Sequence, residues 1–193
     1  MKTVILKYNA GNVRSVAFAL ERLGVNPMIS NQEEEIRSAD KVIIPGVGEA
    51  GTAMTFLKAQ RLDRLIVSLK QPVLGICLGM QLMCRNSEEG NTVCLGIFNQ
   101  DVRKIQGAVK VPHMGWNNIG KIRGPLFEGL NGEEYMYYVH GYCAGIGADT
   151  IAVTEYGSEY SAALSKGNFY GVQFHPEKSG EDGARILENF LKL

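Results

Sequence analysis

What most constrains this chain is the regular alternation of short apolar runs with helix-patterned stretches through its first half. Thr3 to Tyr8 reads as a strand. Val13, Val16, Ala17, Leu20 and Leu23 recur at helical spacing, and Gly24 ends that stretch. Asn26 to Ile29 and Lys41 to Ile44 read as further strands, separated by an acidic helical piece around Glu33 to Arg37. Thr52 to Leu69 reads as a helix with a break near Arg61, and Pro72 to Ile76 as the next strand. Parallel strands need a crossover connection, and a helix supplies it. Repeated β-α units therefore predict a mostly parallel sheet with helices on both faces.

From Val102 to Tyr142 the pattern changes to Gly, Pro, Asn and aromatics, with short extended pieces such as Met136-Tyr137-Tyr138-Val139. These predict antiparallel strands and loops added to the sheet. Strand patterns return at Ile151 to Tyr156, Ala162 to Ser165 and Tyr170 to Phe174, before a last helix over Ala184 to Leu191. The chain shows no internal repeat, low-complexity stretch or linker. Its 193 residues predict one α/β domain over 1–193, a three-layer α/β/α arrangement with a mostly parallel central sheet and added antiparallel strands.

Twenty Lys and Arg balance twenty Asp and Glu, which leaves no basic field for nucleic acid or an anionic membrane. The apolar start, Met1 to Leu6, is too short for a signal peptide, and no apolar run is long enough to span a bilayer. Cys77, Cys84, Cys94 and Cys143 form no C-x-x-C pair, so reduced thiols and a cytoplasmic location are expected. His113, His140 and His175 are scattered without zinc spacing, and neither a metal nor a cofactor is expected.

The stretch PVLGICLGMQ, Pro72 to Gln81, places Cys77 between a short buried strand and a helical pattern. Gly75-x-Cys77-x-Gly79 has the spacing of a nucleophile elbow with Cys in place of Ser. Small neighbours permit a tight turn there, and the positive end of the following helix favours the thiolate. The alternative is a small core cysteine, the usual fate of a free one. Gly46-Val47-Gly48-Glu49-Ala50-Gly51 is literally a G-x-G-x-x-G. It follows a later strand than the dinucleotide fingerprint does, and no strand-end acid follows at the right distance. It reads better as a flexible loop whose backbone N–H groups face a neighbouring site, an oxyanion hole contributed by Val47 and Gly48 together with Leu78 of the elbow. A plain strand-to-helix turn is the other reading.

Gly171-Val172-Gln173-Phe174-His175-Pro176-Glu177 ends a strand in His-Pro-Glu. With the chain extended through Pro176, residues two apart point the same way. His175 can then serve as a base whose tautomer Glu177 fixes, completing a Cys-His-acid set with Cys77. Alone, His175 would be an ordinary surface histidine; the elbow changes that balance.

Taken together, Gly75-Ile76-Cys77-Leu78-Gly79-Met80-Gln81 and Gln173-Phe174-His175-Pro176-Glu177 resemble the motifs of the class I glutamine amidotransferases, whose fold is flavodoxin-like. The resemblance implies that Cys77 is the nucleophile, His175 the base and Glu177 the orienting carboxylate. It implies that glutamine is hydrolysed to glutamate and ammonia through a thioester, with Gly46 and Gln81 contacting the substrate. Within the class, Pro45-Gly46-Val47-Gly48, Lys110 to Asn117, Tyr138-Val139-His140, Glu177 to Gly180 and Gly11 to Val16 are similar to the glutaminase subunits of imidazole glycerol phosphate synthases. One departure is Lys7-Tyr8-Asn9-Ala10-Gly11-Asn12, where that family often reads Asp-Tyr-Gly-x-Gly-Asn. This likeness implies a heterodimer with a (βα)₈-barrel cyclase subunit, which receives the ammonia for histidine biosynthesis. It places Asn12, His113, Trp116 and Asn117 at the partner interface, although a Trp filling the core of the inserted strands is an equal reading for Trp116. The competing functions are a glutaminase serving another synthase, such as that for anthranilate or guanylate, a cysteine hydrolase without ammonia channelling, and a non-catalytic interaction protein.

Overall fold

In the structure, a computed structural model that describes residues 1–9 and 11–193, the first half is β1 (Thr3–Leu6), α1 (Val13–Arg22), β2 (Met28–Ser30), α2 (Glu33–Arg37), β3 (Lys41–Ile44), α3 (Ala50–Ala59), α4 (Leu62–Ser68), β4 (Val73–Ile76) and α5 (Leu78–Met83). Ala10, within the divergent first loop, lies outside the described residues. The second half is β5 (Asn86–Ser87), β6 (Thr92–Val93), β7 (Asp101–Lys104), β8 (His113–Asn118), β9 (Tyr135–His140), β10 (Tyr142–Ala144), β11 (Thr150–Tyr156), β12 (Ser158–Lys166), β13 (Phe169–Val172) and α6 (Gly180–Lys192). The long helix expected over Thr52 to Leu69 starts earlier, at Ala50. It divides at Arg61, whose left-handed φ of 57° separates α3 from α4.

The central sheet has seven strands in the order β11-β12-β13-β4-β3-β1-β2. The five strands from β13 to β2 are mutually parallel, and β12 and β11 extend the sheet antiparallel beyond β13. The β2-β1-β3-β4-β13 order is the flavodoxin-like doubly wound arrangement. β1, β3 and β4 are buried on both faces, which is why they read as continuous apolar runs rather than alternating ones. Val4, Leu6, Val42, Ile44 and Val73 pack under α3, α4 and α5. Ile5, Ile43, Leu74 and Ile76 face the other way, against α1 and α6. The three layers follow directly from this alternation.

The stretch from Val102 to Tyr142 departs from expectation. Its strands are antiparallel, but they do not join the central sheet. Among the described residues β8 pairs only with β9, and β7 joins β10, β5 and β6 in a separate small sheet. The antiparallel addition to the main sheet comes from β11 and β12 instead, where Thr150–Thr154 and Tyr160–Leu164 are buried. The two small sheets stand beside the carboxyl ends of β4 and β13, where an open α/β sheet gathers its ligand sites.

Candidate active site

Cys77 follows β4 directly, with φ 51° and ψ −109°, a conformation that L residues rarely adopt. Its N–H donates to the Val172 carbonyl at 2.7 Å, which ties the elbow to β13. The glycines of the motif are explained by close approach. A Cβ on Gly79 would lie 2.0 Å from the Ile44 carbonyl oxygen, and one on Gly75 would lie 2.7 Å from the Gly79 backbone. The strand, the elbow and the 45–48 loop therefore touch backbone to backbone.

His175 lies three residues beyond β13. Its N–H donates to the Tyr137 carbonyl at 2.9 Å, and its own carbonyl accepts from Ser179 Oγ at 2.7 Å. The chain is not extended through Pro176, as the spacing argument assumed; Pro176–Lys178 is a single 3₁₀ turn. Proline fits at the first position of such a turn, where its missing N–H costs nothing. The turn still swings Glu177 back, so that its Oε1 meets His175 Nδ1 at 2.7 Å, with both side chains buried. Burial pushes the His175 pKa down, while the adjacent Cys77 sulfur and the Glu177 carboxylate push it up, and the net value is about 10. Nε2, on the far side of the ring from Glu177, is buried with no nitrogen or oxygen partner among the described residues. The Cys77 Sγ contacts the Val139 carbonyl at 3.9 Å and Gln173 Nε2 at 3.5 Å.

A cavity of about 160 Å³ opens over the sulfur, lined among others by Val47, Gly48, Cys77, Leu78, Gln81 and Glu89. Gly46 does not line it. It is packed against the elbow, where a Cβ would lie 2.6 Å from Gly79 N and from Leu78 Cβ. Its place is to let the loop approach, while Val47 and Gly48 form the wall. Glu49 caps α3 through bonds from Gly51 N and Thr52 N at 2.9 and 2.8 Å, so the helix N-terminus of the G-x-G-x-x-G is already occupied by a carboxylate. Sequence reasoning passed over Glu89 and Gln173. Glu89 brings a carboxylate to the cavity and accepts from Ala50 N at 2.8 Å; burial raises its pKa, only partly offset by that bond. Nothing in the spacing of Glu89 marks it, whereas Gln173 stands two residues before His175 on one strand pattern and could have been found by alternation.

Of the residues expected at a partner surface, Trp116 is 56% exposed, on the same face of the β8–β9 pair as the exposed Met114 and Tyr135. It is not core. His113 is the reverse: it is buried, stacked 3.9 Å from the Tyr156 ring and 4.9 Å from that of Tyr138. Successive residues on β8 face opposite ways, so His113 is turned to the buried side of the strand and Trp116 to the exposed one. Asn117 is turned inward with His113 and donates to the Glu155 carbonyl at 2.9 Å. Asn12, at the left-handed start of α1, turns to the His175–Glu177 pair: its Nδ2 donates to Glu177 Oε1 and lies 3.5 Å from His175 Nδ1.

An elbow cysteine beside a buried His-Glu pair, on a doubly wound sheet, is the framework of an α/β amidotransferase. The family model for glutamine amidotransferase class-I matches residues 4–193, and the chain belongs to that family. The imidazole glycerol phosphate synthase subunit HisH of Bacteroides thetaiotaomicron is 58% identical over the full length of both chains. The same-named subunit of Photorhabdus laumondii is 47% identical, again over all of both. Among solved structures, a glutamine amidotransferase superposes with a TM-score of 0.76 at 17% identity, covering 98% of this chain and 97% of the other. PurLQS from Thermotoga maritima superposes with a TM-score of 0.71 at 18% identity, covering 99% and 97%. Among the described residues, no helix is long and apolar enough to cross a membrane.

Proposed function

We propose that this chain is the glutaminase subunit of a cytoplasmic imidazole glycerol phosphate synthase, and that Cys77, His175 and Glu177 carry its chemistry. The observation that carries the reading is an elbow sulfur that opens on a cavity and has the buried His175–Glu177 pair beside it. Full-length identity to the HisH subunits supports the assignment to histidine biosynthesis.

Glutamine enters with its amide over Cys77 and its ammonium group at Glu89; Gln81 flanks the side chain. Glu177 holds the Nδ1 proton of His175, so Nε2 takes the thiol proton. The sulfur attacks the amide carbon, and the carbonyl oxygen becomes an oxyanion. The imidazolium gives its proton to the departing nitrogen, and ammonia leaves a glutamyl thioester. Water, deprotonated by the same Nε2, attacks the thioester and releases glutamate and the thiol. The oxyanion needs two N–H donors, Leu78 and Val47, the second presented by a flip of the Gly46–Val47 peptide.

Ammonia is useful only while unprotonated, so it passes directly into a (βα)₈-barrel cyclase subunit docked on the exposed Met114, Trp116 and Tyr135 face of β8 and β9. The test is glutamate release by the purified chain, alone and with the cyclase and its nucleotide ligand. Activity is expected only in the liganded complex. Cys77→Ala should abolish it while product formation from ammonium salt persists. Wild-type glutamate release by Cys77→Ala would overturn the assignment.

A further inference from the structure

A run of hydrogen bonds ends on the Cys77 sulfur, and each of its donors and acceptors has one consistent assignment. The fixed point is the Tyr142 carbonyl, which can only accept. His140 Nδ1 lies 2.8 Å from it and must donate, so in the neutral ring His140 Nε2 is bare. Burial keeps the ring neutral, with a pKa lowered to about 3. The bare Nε2 therefore accepts the Tyr160 hydroxyl proton across 3.2 Å, and the Tyr160 oxygen in turn accepts from His113 Nδ1 at 3.1 Å. On the other side, the Tyr142 carbonyl accepts from Gln81 Nε2 at 2.8 Å. That bond decides which end of the Gln81 amide is nitrogen. The second N–H of Gln81 donates to Gln173 Oε1 at 2.9 Å, so the Gln173 nitrogen, not its oxygen, is turned to Cys77.

Gln173 is fully buried. With the amide the other way round, a carbonyl oxygen would oppose the negative sulfur. We propose that Gln173 is a positioning residue of the glutaminase reaction: its amide N–H holds the Cys77 sulfur and favours the thiolate, and Gln81, anchored on the Tyr142 carbonyl, keeps that amide from turning over. The proposal rests on Cys77 being the nucleophile. It also gives Gln81 a task beyond flanking the substrate, and it roots the site in the β9–β10 segment. The other titratable groups around the sulfur are His175, Tyr8, Tyr160, and Glu89 and His140 of the cavity wall, and they are unchanged in the variants below.

The test uses the full chain. Alkylation of Cys77 by iodoacetamide is followed by mass spectrometry, which resolves it from Cys84, Cys94 and Cys143, between pH 6 and 10. Gln173→Met keeps the length and removes the donor. It should slow alkylation about tenfold at pH 7, the scale of one hydrogen bond to a charged group, and approach the wild-type rate at pH 10. In the liganded complex kcat should fall by a similar factor with KM within about twofold. Gln81→Met leaves Gln173 in place but frees its amide; it should slow alkylation at pH 7 by a smaller factor, and it serves if Gln173→Met does not fold. A residue that only braces β13 against α5 would lower the melting temperature and leave the pH profile of alkylation alone. A folded Gln173→Met, or Gln81→Met, with the wild-type alkylation profile overturns the proposal while Cys77→Ala remains inactive. Glutamate release by Cys77→Ala would instead overturn the reading on which it rests.

Discussion

The Gly46 carbonyl faces the Leu78 N–H at 3.4 Å. The first donor of the elbow helix thus meets an acceptor, and the peptide that carries the Val47 N–H presents its oxygen to the elbow. The Val47 carbonyl is held as well, by Gly11 N at 3.0 Å. In the proposed mechanism this is the loop before the Gly46–Val47 peptide flips. Gly48, at φ 143°, is a residue that lets the segment turn.

Val47→Pro removes the N–H that the flip would present. Glutamine-dependent turnover in the liganded complex should fall by about 10²–10³, the cost of one oxyanion donor. Val47→Ala keeps the N–H and should be mild. Ammonia-dependent turnover and complex formation serve as controls, because proline also restricts Gly46. Full ligand-stimulated activity in Val47→Pro would show that another group supplies the donor.

Gly79→Ala tests the close approach beneath the elbow. Its Cβ would sit 2.0 Å from the Ile44 carbonyl oxygen, backbone that cannot rotate away. The cost should exceed the ~1–3 kcal/mol of ordinary overpacking. Chemical denaturation of the variant reads it, and a loss under about 1 kcal/mol would mean that β3 and α5 separate more easily than their packing implies.

Acid stability should depend on His140. Its folded pKa of about 3 lies below the unfolded ~6.5, so below pH 6.5 the unfolded state binds the extra proton. Stability is then lost as pH falls from about 6.5 towards 3, by at most ~1.4 kcal/mol per pH unit from this group. His113, lowered by burial, adds in the same direction. Thermal unfolding between pH 4 and 7 should show a shallower slope for His140→Phe than for wild type, whatever the variant's absolute stability. Equal slopes would place the acid sensitivity elsewhere.

Trp116→Ala separates docking from folding. The side chain is 56% exposed and meets the Tyr137 ring edge-on at 5.9 Å. Its loss should change stability by less than about 1 kcal/mol, yet weaken cyclase binding by about 30-fold or more if it is a hot spot. Calorimetric titration with the cyclase measures this, and unchanged affinity would move the docking surface elsewhere.

The sequence by itself determined the doubly wound frame. The continuous apolar runs of β1, β3 and β4, the helical stripe of α1 and the elbow spacing are local patterns whose periods permit one architecture. They also determined that Cys77 and His175 would each stand just beyond a strand, while the pairing of those strands, β4 with β13, was settled by the fold. Only the tertiary structure decided the rest, because it depends on groups remote in the chain. Strand propensity in Val102 to Tyr142 said that strands form but not which partners satisfy their backbone groups, and two separate small sheets resulted. Glu177 reaches His175 by a turn rather than by alternation. Asn12 and Glu177 meet across 165 residues. His113 and Trp116, three apart in one motif, part company because a strand sends alternate side chains to opposite faces, and which face is covered is settled by Tyr138, Tyr156 and Tyr160 packing over His113. The direction of the Gln173 amide has no local signal at all. It follows from a carbonyl at Tyr142 that can only accept, and that constraint exists only once the fold has closed.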